Sequence, residues 1–167
     1  TENNEIPLVT PISSGVAITD PSNSYIVRLQ ASDKLQAKAI TEYAINDLGY
    51  KNIAVMFQND DFGAGGKDVV VETLKDAGIE PLAVEAFDSS ATDMSAQLLK
   101  IKDLNPEAII MWTMYGCGAT IAKQCDQLGI DCDLMGGGGL TNAKLYELGG
   151  ESAVGILNTQ TFFPDKE

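Results

Sequence analysis

One stretch near the middle of the chain constrains the fold more than any other feature. Five consecutive apolar residues, 53–57, are typical of a strand buried on both faces. Polar residues and glycines then predict a tight loop over 59–65, followed by a helix over 67–77 and a second apolar strand over 82–87. A strand–loop–helix–strand unit indicates parallel strands joined by a right-handed crossover. Because ligands of such sheets bind at the carboxyl ends of the strands, this loop is the first candidate site.

The rest of the chain continues the alternation of strand and helix. Further strands are predicted over 6–11, 25–29, 108–112, 132–135 and 153–159. Further helices are predicted from an Asp33 N-cap, with Gln36 completing a capping box, to about 48, and over 94–104. After a loop over 113–118, another helix is predicted to end near 128 with Gly129 as its cap, and a last one to begin after Thr141 or Asn142. The pattern predicts an α/β fold, a three-layer αβα sandwich with a mostly parallel sheet.

The charge balance excludes two classes of partner. The chain carries 24 acidic and 11 basic residues, a net charge of −13. Nucleic acid and anionic membrane surfaces would both repel such a chain, although solubility alone accounts for an acidic excess of this kind. No apolar stretch approaches the roughly 20 residues needed to span a bilayer, so we expect no direct membrane insertion.

The residue inventory also disfavours catalysis and cofactor binding. The absence of histidine removes the commonest general base and most zinc sites. No glycine-rich stretch has the spacing of a phosphate loop or a dinucleotide fingerprint, so we expect no cofactor. Three cysteines, Cys117, Cys125 and Cys132, do not form a disulfide framework. Buried thiols are favoured, but Cys125 and Cys132 could pair in an oxidising compartment.

Three loops occupy one position in this architecture, after the strands that end at Phe57, Trp112 and Met135. Each loop contains glycine, which lets a ligand approach the backbone. Two of them carry an aromatic residue, Phe62 and Tyr115, whose ring could cover an apolar ligand. The alternative is that both rings only pack within their loops, and the pattern alone does not decide between these interpretations.

A set of ordered motifs covers essentially the whole chain: IPLVTPISSGVAIT, VRLQASDKLQAKA, DDFGAGG, FDSSATDMSAQLLKIKDLNPEAIIMW, MGGGGLTNAKL and AVGILNTQTFFPD. With these motifs in this order, the chain resembles the periplasmic solute-binding proteins of branched-chain amino-acid ABC transporters, the Leu/Ile/Val-binding family. The resemblance implies the type I periplasmic binding fold, in which two lobes close by hinge motion around a ligand in the cleft between them.

Family members are longer than this chain, so the resemblance implies a fragment that covers mainly the second lobe. Residues 1–29 would be the end of the amino-terminal lobe and a crossover, 30–158 the second-lobe α/β domain, and 159–167 a crossover back. The implied location is periplasmic or extracellular, with a lipoprotein anchor as an option for the full-length protein. The implied partners are a small-molecule solute and the membrane permease of an ABC transporter.

The resemblance also implies where the ligand binds. The family loop that holds the ligand carboxylate corresponds to Ile12, Ser13 and Ser14, with backbone N–H groups and the Ser14 hydroxyl as donors. On the second lobe, the family's aromatic ligand contacts correspond to Phe62 and Tyr115.

Gly138 marks a departure from the family pattern. Amino-acid binders place a carboxylate there to hold the ligand ammonium, and an ammonium buried without a counter-charge is costly. Asp60 or Asp61 could substitute, and we count Asp61 among the candidate ligand-binding residues. The departure leads to the hypothesis that the ligand is an aliphatic or aromatic acid without an α-amino group.

The predicted function is therefore that of the substrate-binding component of an ABC importer, which captures a small carboxylate-bearing solute, a branched-chain amino acid or a related acid. The alternative is a ligand-sensing module of a receptor or regulator with the same fold. An enzyme that uses Cys117 or the Asp60–Asp61 pair is the least favoured interpretation, because the chain lacks histidine and a complete set of metal ligands.

Overall fold

A five-stranded parallel sheet forms the centre of the protein. The computed structural model describes residues 4–19 and 24–161. In chain order the strands are β1 (Leu8–Thr10), β2 (Ile26–Arg28), β3 (Ile53–Gln58), β4 (Val84–Phe87), β5 (Ala108–Trp112), β6 (Asp133–Gly136) and β7 (Leu157–Asn158). The helices are α1 (Asp33–Asn46), α2 (Asp61–Asp76), α3 (Ser95–Lys102), α4 (Tyr115–Leu128) and α5 (Ala143–Gly149). The central sheet has the order β4-β3-β5-β6-β7, and every pairing in it is parallel.

Helices cover both faces of this sheet, because successive side chains of its strands point to opposite sides. On β5, Ile109 and Met111 pack in the cluster that includes residues of α3, α4 and α5. Ile110 and Trp112 belong to the other cluster, with residues of α1 and α2. All five residues of β5 are buried, as the apolar run predicts. The predicted three-layer αβα sandwich is confirmed.

The predicted loop after β3 is wrong, because α2 begins at Asp61 rather than near residue 67. Asp60 is the N-cap of α2, and its carboxylate accepts a hydrogen bond of 2.8 Å from the Gly63 backbone N–H. Gly66 is inside the helix and lies against the Trp112 indole, where a Cβ atom would stand only 2.2 Å from the ring. The glycines here allow a helix to approach the sheet closely and do not mark a loop.

The start of α1 differs from the prediction by one residue. Ser32, not Asp33, is the N-cap, and its hydroxyl accepts from the Leu35 backbone N–H at 3.3 Å. Asp33 is the first helical residue and is buried. Gln36 does not form the predicted capping box, because its side-chain amide donates to the Ala31 carbonyl at 2.8 Å.

Two other predicted helix boundaries agree with the structure, and one differs. Gly129 ends α4 in the left-handed conformation with φ of 64°. Asn142, one of the two predicted caps, accepts from the Lys144 backbone N–H at 2.9 Å and begins α5. The loop predicted after β5 is wrong beyond Met114, because α4 begins at Tyr115.

A separate two-stranded parallel sheet, β1 with β2, precedes α1. Both strands lie within the predicted ranges, 6–11 and 25–29. We call residues 4–19 and 24–30 the amino-terminal segment. Several of its apolar side chains are more than half exposed: Ile6, Val9, Ile12, Val27 and Leu29. Within residues 4–19 and 24–161, each helix is too short or too polar to cross a membrane.

Candidate functional site

The carboxyl ends of β3, β5 and β6 border a cavity of about 1000 Å³. Its wall on the side of the amino-terminal segment includes Ile12, Ser13 and Ser14. The wall formed by the rest of the chain includes Asp61, Phe62, Tyr115 and Gly138. The structure thus brings all the candidate ligand-binding residues to one cavity.

Two smaller depressions lie elsewhere. One, of about 420 Å³, is a groove between α1 and α2. The other, of about 320 Å³, lies beside the carboxyl-terminal half of α4 and includes Cys125 and Cys132. Neither opens at the carboxyl ends of the strands, where parallel sheets bind ligands, so the cavity of about 1000 Å³ is the candidate site.

Phe62, in the first turn of α2, is supported by a buried tryptophan. Its ring packs against the Trp112 indole with centroids 6.3 Å apart and planes tilted by 42°. Trp112 is almost fully buried, and Gly66 and Gly137 fit against its ring, where Cβ atoms would come within 2.2 and 2.6 Å. The half-buried Phe62 ring is therefore held from below and presents apolar surface to the cavity.

Asp60 and Asp61 are adjacent in sequence but differ in what they contact. The Asp60 carboxylate is occupied within the protein, since it accepts from the Gly63 N–H and from the Gln58 side-chain amide. The Gln58 amide oxygen in turn accepts from the Thr113 hydroxyl at 3.2 Å, which ties the ends of β3 and β5 together. Asp61 is exposed and lines the cavity. Of the pair, only Asp61 is placed to meet a ligand.

The Ser13–Ser14 loop is fastened to the start of α1. The Asp33 backbone N–H donates to the Ser14 carbonyl at 2.8 Å. Arg28 donates from Nη1 to the carbonyls of Ser14 and Gly15, at 3.1 and 2.7 Å. The Ser13 N–H donates to Thr10 Oγ1 at 3.3 Å, so it is engaged within the protein. Within residues 4–19 and 24–161, the Ser14 N–H has no partner and remains as a donor for an anion.

Asp33 lies beneath this loop as a buried carboxyl group. Burial raises its pKa, and this effect exceeds the lowering by a hydrogen bond from the Ser14 side chain and by the positive charge of Arg28. The Ser14 hydroxyl therefore lies near the Asp33 carboxyl, and its role as a donor to the ligand stays a prediction. Across the described ranges, neither Asp33 Oδ2 nor Trp112 Nε1 completes a hydrogen bond, although the indole is close enough to favour the ionised carboxyl.

Gly138 is held by a side chain that the sequence assigned to a capping box. The Gly138 N–H donates to Gln36 Oε1 at 2.9 Å, and the Thr159 hydroxyl donates to the same oxygen at 3.2 Å. Nearby, the Ala31 N–H donates to the Thr161 hydroxyl at 3.0 Å. The chain therefore returns from β7 to the start of α1, where it meets the amino-terminal segment. No sequence signal identified Gln36, because its role depends on residues distant in the chain.

The cysteines offer no activated nucleophile. All three are unbridged thiols. Burial raises the pKa of Cys117, whose Sγ donates to the Ser89 carbonyl at 3.4 Å. Burial also raises the pKa of both Cys125 and Cys132 to about 12. These thiols stay protonated near neutral pH, whereas nucleophilic attack needs the thiolate. Among the described residues, no three cysteine or acidic side chains form a group that could hold a metal ion.

Comparison with protein families gives one match over the complete chain. The family model described as "Periplasmic binding protein" matches residues 1–167. Among curated proteins, the Leu/Ile/Val-binding protein homolog 3 of Brucella melitensis is 25% identical over 156 residues, which are 93% of this chain and 42% of that protein. The leucine-, isoleucine-, valine-, threonine- and alanine-binding protein of Pseudomonas aeruginosa is 24% identical over 95% of this chain and 42% of its own length.

Solved structures show the same relation. A leucine-binding protein of Thermotoga maritima superposes with a TM-score of 0.83 and 30% identity, over 90% of this chain and 43% of that chain. A branched-chain amino-acid ABC transporter protein of Thermus thermophilus with bound valine gives a TM-score of 0.86 at 23% identity, over 94% of this chain and 41% of that chain. The chain therefore spans less than half the length of the relatives it matches.

Proposed function

The chain belongs to the family of periplasmic binding proteins, and on that premise we propose that it is part of the substrate-binding component of an ABC importer. It captures a small carboxylate-bearing solute in a cleft between two lobes and delivers it to a membrane permease. The full-length protein acts in the periplasm or outside the cell. The solute undergoes no chemistry, since the cavity offers apolar surface and hydrogen-bond donors without an activated nucleophile.

The observation that carries this proposal is the shared cavity. Ser14, from the amino-terminal segment, and Phe62 and Tyr115, at the starts of α2 and α4, line the same space although they come from distant parts of the chain. A concave, mostly apolar surface with few polar groups is typical of a small-molecule site. The Ser14 N–H would bind the carboxylate, and the aromatic rings would cover the apolar body.

The contacts at the start of α1 support a division into lobes. We assign residues 1–29 to the end of the first lobe and a crossover, 30–158 to the second lobe, and 159–167 to a crossover back. The bond from the Asp33 N–H to the Ser14 carbonyl joins the first part to the second, and the bond from the Ala31 N–H to the Thr161 hydroxyl joins the second to the third. A hinge there would let the two walls of the cavity close.

We further propose that the solute lacks an α-ammonium group. Gly138 provides no carboxylate, and the Asp60 carboxylate already accepts the Gly63 N–H as the N-cap of α2. The acidic side chains that line the cavity, Asp61, Asp68 and Glu72, are exposed on α2, where water screens their charges. They compensate poorly for an ammonium that closure would bury.

The test is calorimetry on the full-length protein, because a detached half-cleft buries only part of a ligand. A thermal-shift screen of aliphatic and aromatic acids and amino acids selects the ligands for titration. We expect at least one small carboxylic acid to bind, and Phe62→Ala to weaken its binding by roughly 10-fold or more, as the loss of an aromatic contact predicts. Tyr43→Ala is the control, since Tyr43 is partly exposed and lies outside the cavity.

Two results would contradict this proposal in different ways. If no carboxylate binds the full-length protein, the assigned solute class is wrong. If leucine or valine binds more tightly than every acid that lacks the amino group, the solute class stands but the statement about the ammonium fails.

A further inference from the structure

The cavity wall next to Gly138 is built from neutral carboxamides. A Cβ atom placed on Gly138 would lie 2.8 Å from Gln36 Oε1 and 3.4 Å from Gln30 Nε2. The three nearest heavy atoms of that point all belong to these two side chains. The part of a ligand that reaches Gly138 therefore meets these two amide groups first.

The two carboxamides differ in the hydrogen bonds they have left to offer. Gln36 is buried, and its Oε1 already accepts from Gly138 and Thr159 while its Nε2 donates to Ala31. It is a fixed part of the scaffold. Gln30 is half-buried and lines the cavity. In the ranges that the structure describes, the Gln30 carboxamide has no hydrogen-bond partner, so it brings an N–H donor to the ligand.

Gln30 also lies close to the loop that would bind the carboxylate. The Ser14 carbonyl is bonded to the Asp33 N–H, and the Gly138 N–H is bonded to the Gln36 side chain. Asp33 and Gln36 are both in the first turn of α1, and one helical turn advances only about 5.4 Å. A ligand carboxylate at Ser14 therefore places the neighbouring carbon, rather than the far end of the molecule, beside Gln30 and Gly138.

We propose that Gln30 donates a hydrogen bond to an oxygen on the carbon next to the ligand carboxylate, so that the solute is a 2-oxo or 2-hydroxy acid. This inference rests on the proposed function and names the substrate class of the same cavity. A hydrogen in place of the oxygen would leave the Gln30 N–H without a partner in a closed cavity. An ammonium on that carbon would place its N–H donors against the N–H donor of Gln30. If the carboxamide flipped, its oxygen could accept a hydrogen bond from the ammonium but would supply no counter-charge.

Matched ligand series test the proposal by calorimetry on the full-length protein. The aliphatic series is 4-methyl-2-oxopentanoate, 2-hydroxy-4-methylpentanoate, 4-methylpentanoate and leucine. The aromatic series is phenylpyruvate, 3-phenyllactate, 3-phenylpropanoate and phenylalanine. In the series that fits the cavity, we expect the oxo or hydroxy acid to bind at least about 10-fold more tightly than the unsubstituted acid and the amino acid. The ratio of the dissociation constants of the oxo and hydroxy acids shows which of the two oxygen groups the site prefers.

Variants then assign the discrimination to Gln30. Gln30→Ala should bring the oxo and hydroxy acids to within about 3-fold of the unsubstituted acid. Gln30→Glu keeps the side-chain size but replaces the donor by a negative charge, and it should weaken the oxo acid by more than about 10-fold. Gln127→Ala, at an exposed glutamine outside the cavity, should change neither value. Thermal melts of all three variants verify that they are folded.

Each other outcome overturns a defined statement. Equal binding of oxo, hydroxy and unsubstituted acids, or discrimination that survives Gln30→Ala, would overturn the role of Gln30 and leave the proposed function intact. Tightest binding of the amino acid would overturn the substrate class named here. Binding of none of these ligands, when other carboxylates in the screen do bind, would overturn it too. The proposed function itself would be contradicted only if no carboxylate in the screen binds the full-length protein.

Discussion

The sheet body (residues 33–158) and the amino-terminal segment are both rich in apolar strand residues, but they bury them very differently. In the sheet body, Ile53, Ile110 and Met111 are fully buried between helices. In the amino-terminal segment, Val9 and Val27 are 58% and 52% exposed. The sheet body completes its own core, whereas the segment has strands without the layers that would cover them. The proposed division into lobes, with this segment at the end of the first lobe, would account for the exposure.

The largest expected effect is the loss of a large side chain from the sheet body. Leu98→Ala should lower the free energy of unfolding by roughly 2–5 kcal/mol, because Leu98 is fully buried and the change leaves a cavity. Val9→Ala, the matched change in the amino-terminal segment, should cost less than about 0.5 kcal/mol in this chain. Urea denaturation measures both values. Equal losses would contradict the distinction between the two regions.

A smaller effect should come from adding a methyl group where α2 lies in tight contact with the Trp112 indole. Gly66→Ala should cost roughly 1–3 kcal/mol, since its Cβ would stand 2.2 Å from the ring and the helix would have to move. Gly65→Ala is the control on the same helix: nothing lies within 4 Å of its Cβ, and alanine should stabilise the helix by roughly 0.5–1 kcal/mol. Opposite signs for neighbouring glycines would show how tightly the sheet body is packed. If both variants are neutral in urea denaturation, the close approach is wrong.

The smallest effect concerns Asp33, where the two regions meet. Its pKa is raised above 3.8 by burial, so the folded protein holds the proton more tightly than the unfolded chain. This group therefore contributes stability at low pH that is lost as pH rises from the unfolded to the folded pKa, and its contribution is constant above that window. Asp33→Asn should gain stability relative to the wild type over the same window.

Thermal melts across pH measure this difference, with Asp131→Asn as the control at an exposed loop position. The melting-temperature difference for Asp33→Asn should grow as pH rises and then level off. A difference that shrinks over this pH range would mean that Arg28 and Ser14 outweigh burial, and the junction would be an ion pair rather than a buried carboxyl.

Local patterns predicted the elements whose causes are local. The bounds of β5 follow from an uninterrupted apolar run, and Gly129 ends α4 because only a residue tolerant of positive φ fits there. The start of α2 could not be predicted in this way. Its glycines are typical of a loop, and the fit of Gly66 against Trp112 depends on a strand that comes much later in the chain.

The candidate site shows the same limit. The strand pattern placed Phe62 and Tyr115 at one edge of the sheet, and the family resemblance assigned them to the ligand; both line the cavity. The sequence did not predict that Gln30 and Gln36 lie at the site. Their role depends on contact with Gly138, which is distant in the chain. The buried Asp33 carboxyl beside Ser14 was not predicted either, because the burial of this residue is not visible in the sequence pattern.

Hydrogen exchange of the full-length protein, with and without a bound carboxylate from the screen, tests the central claim most directly. We predict that the solute slows exchange on both walls of the cavity together, at residues 12–18 on one side and at 62–69 and 138–142 on the other. The depression beside Cys125 and Cys132 should not respond. Protection confined to that depression, or to one wall alone, would contradict a solute held between the two walls.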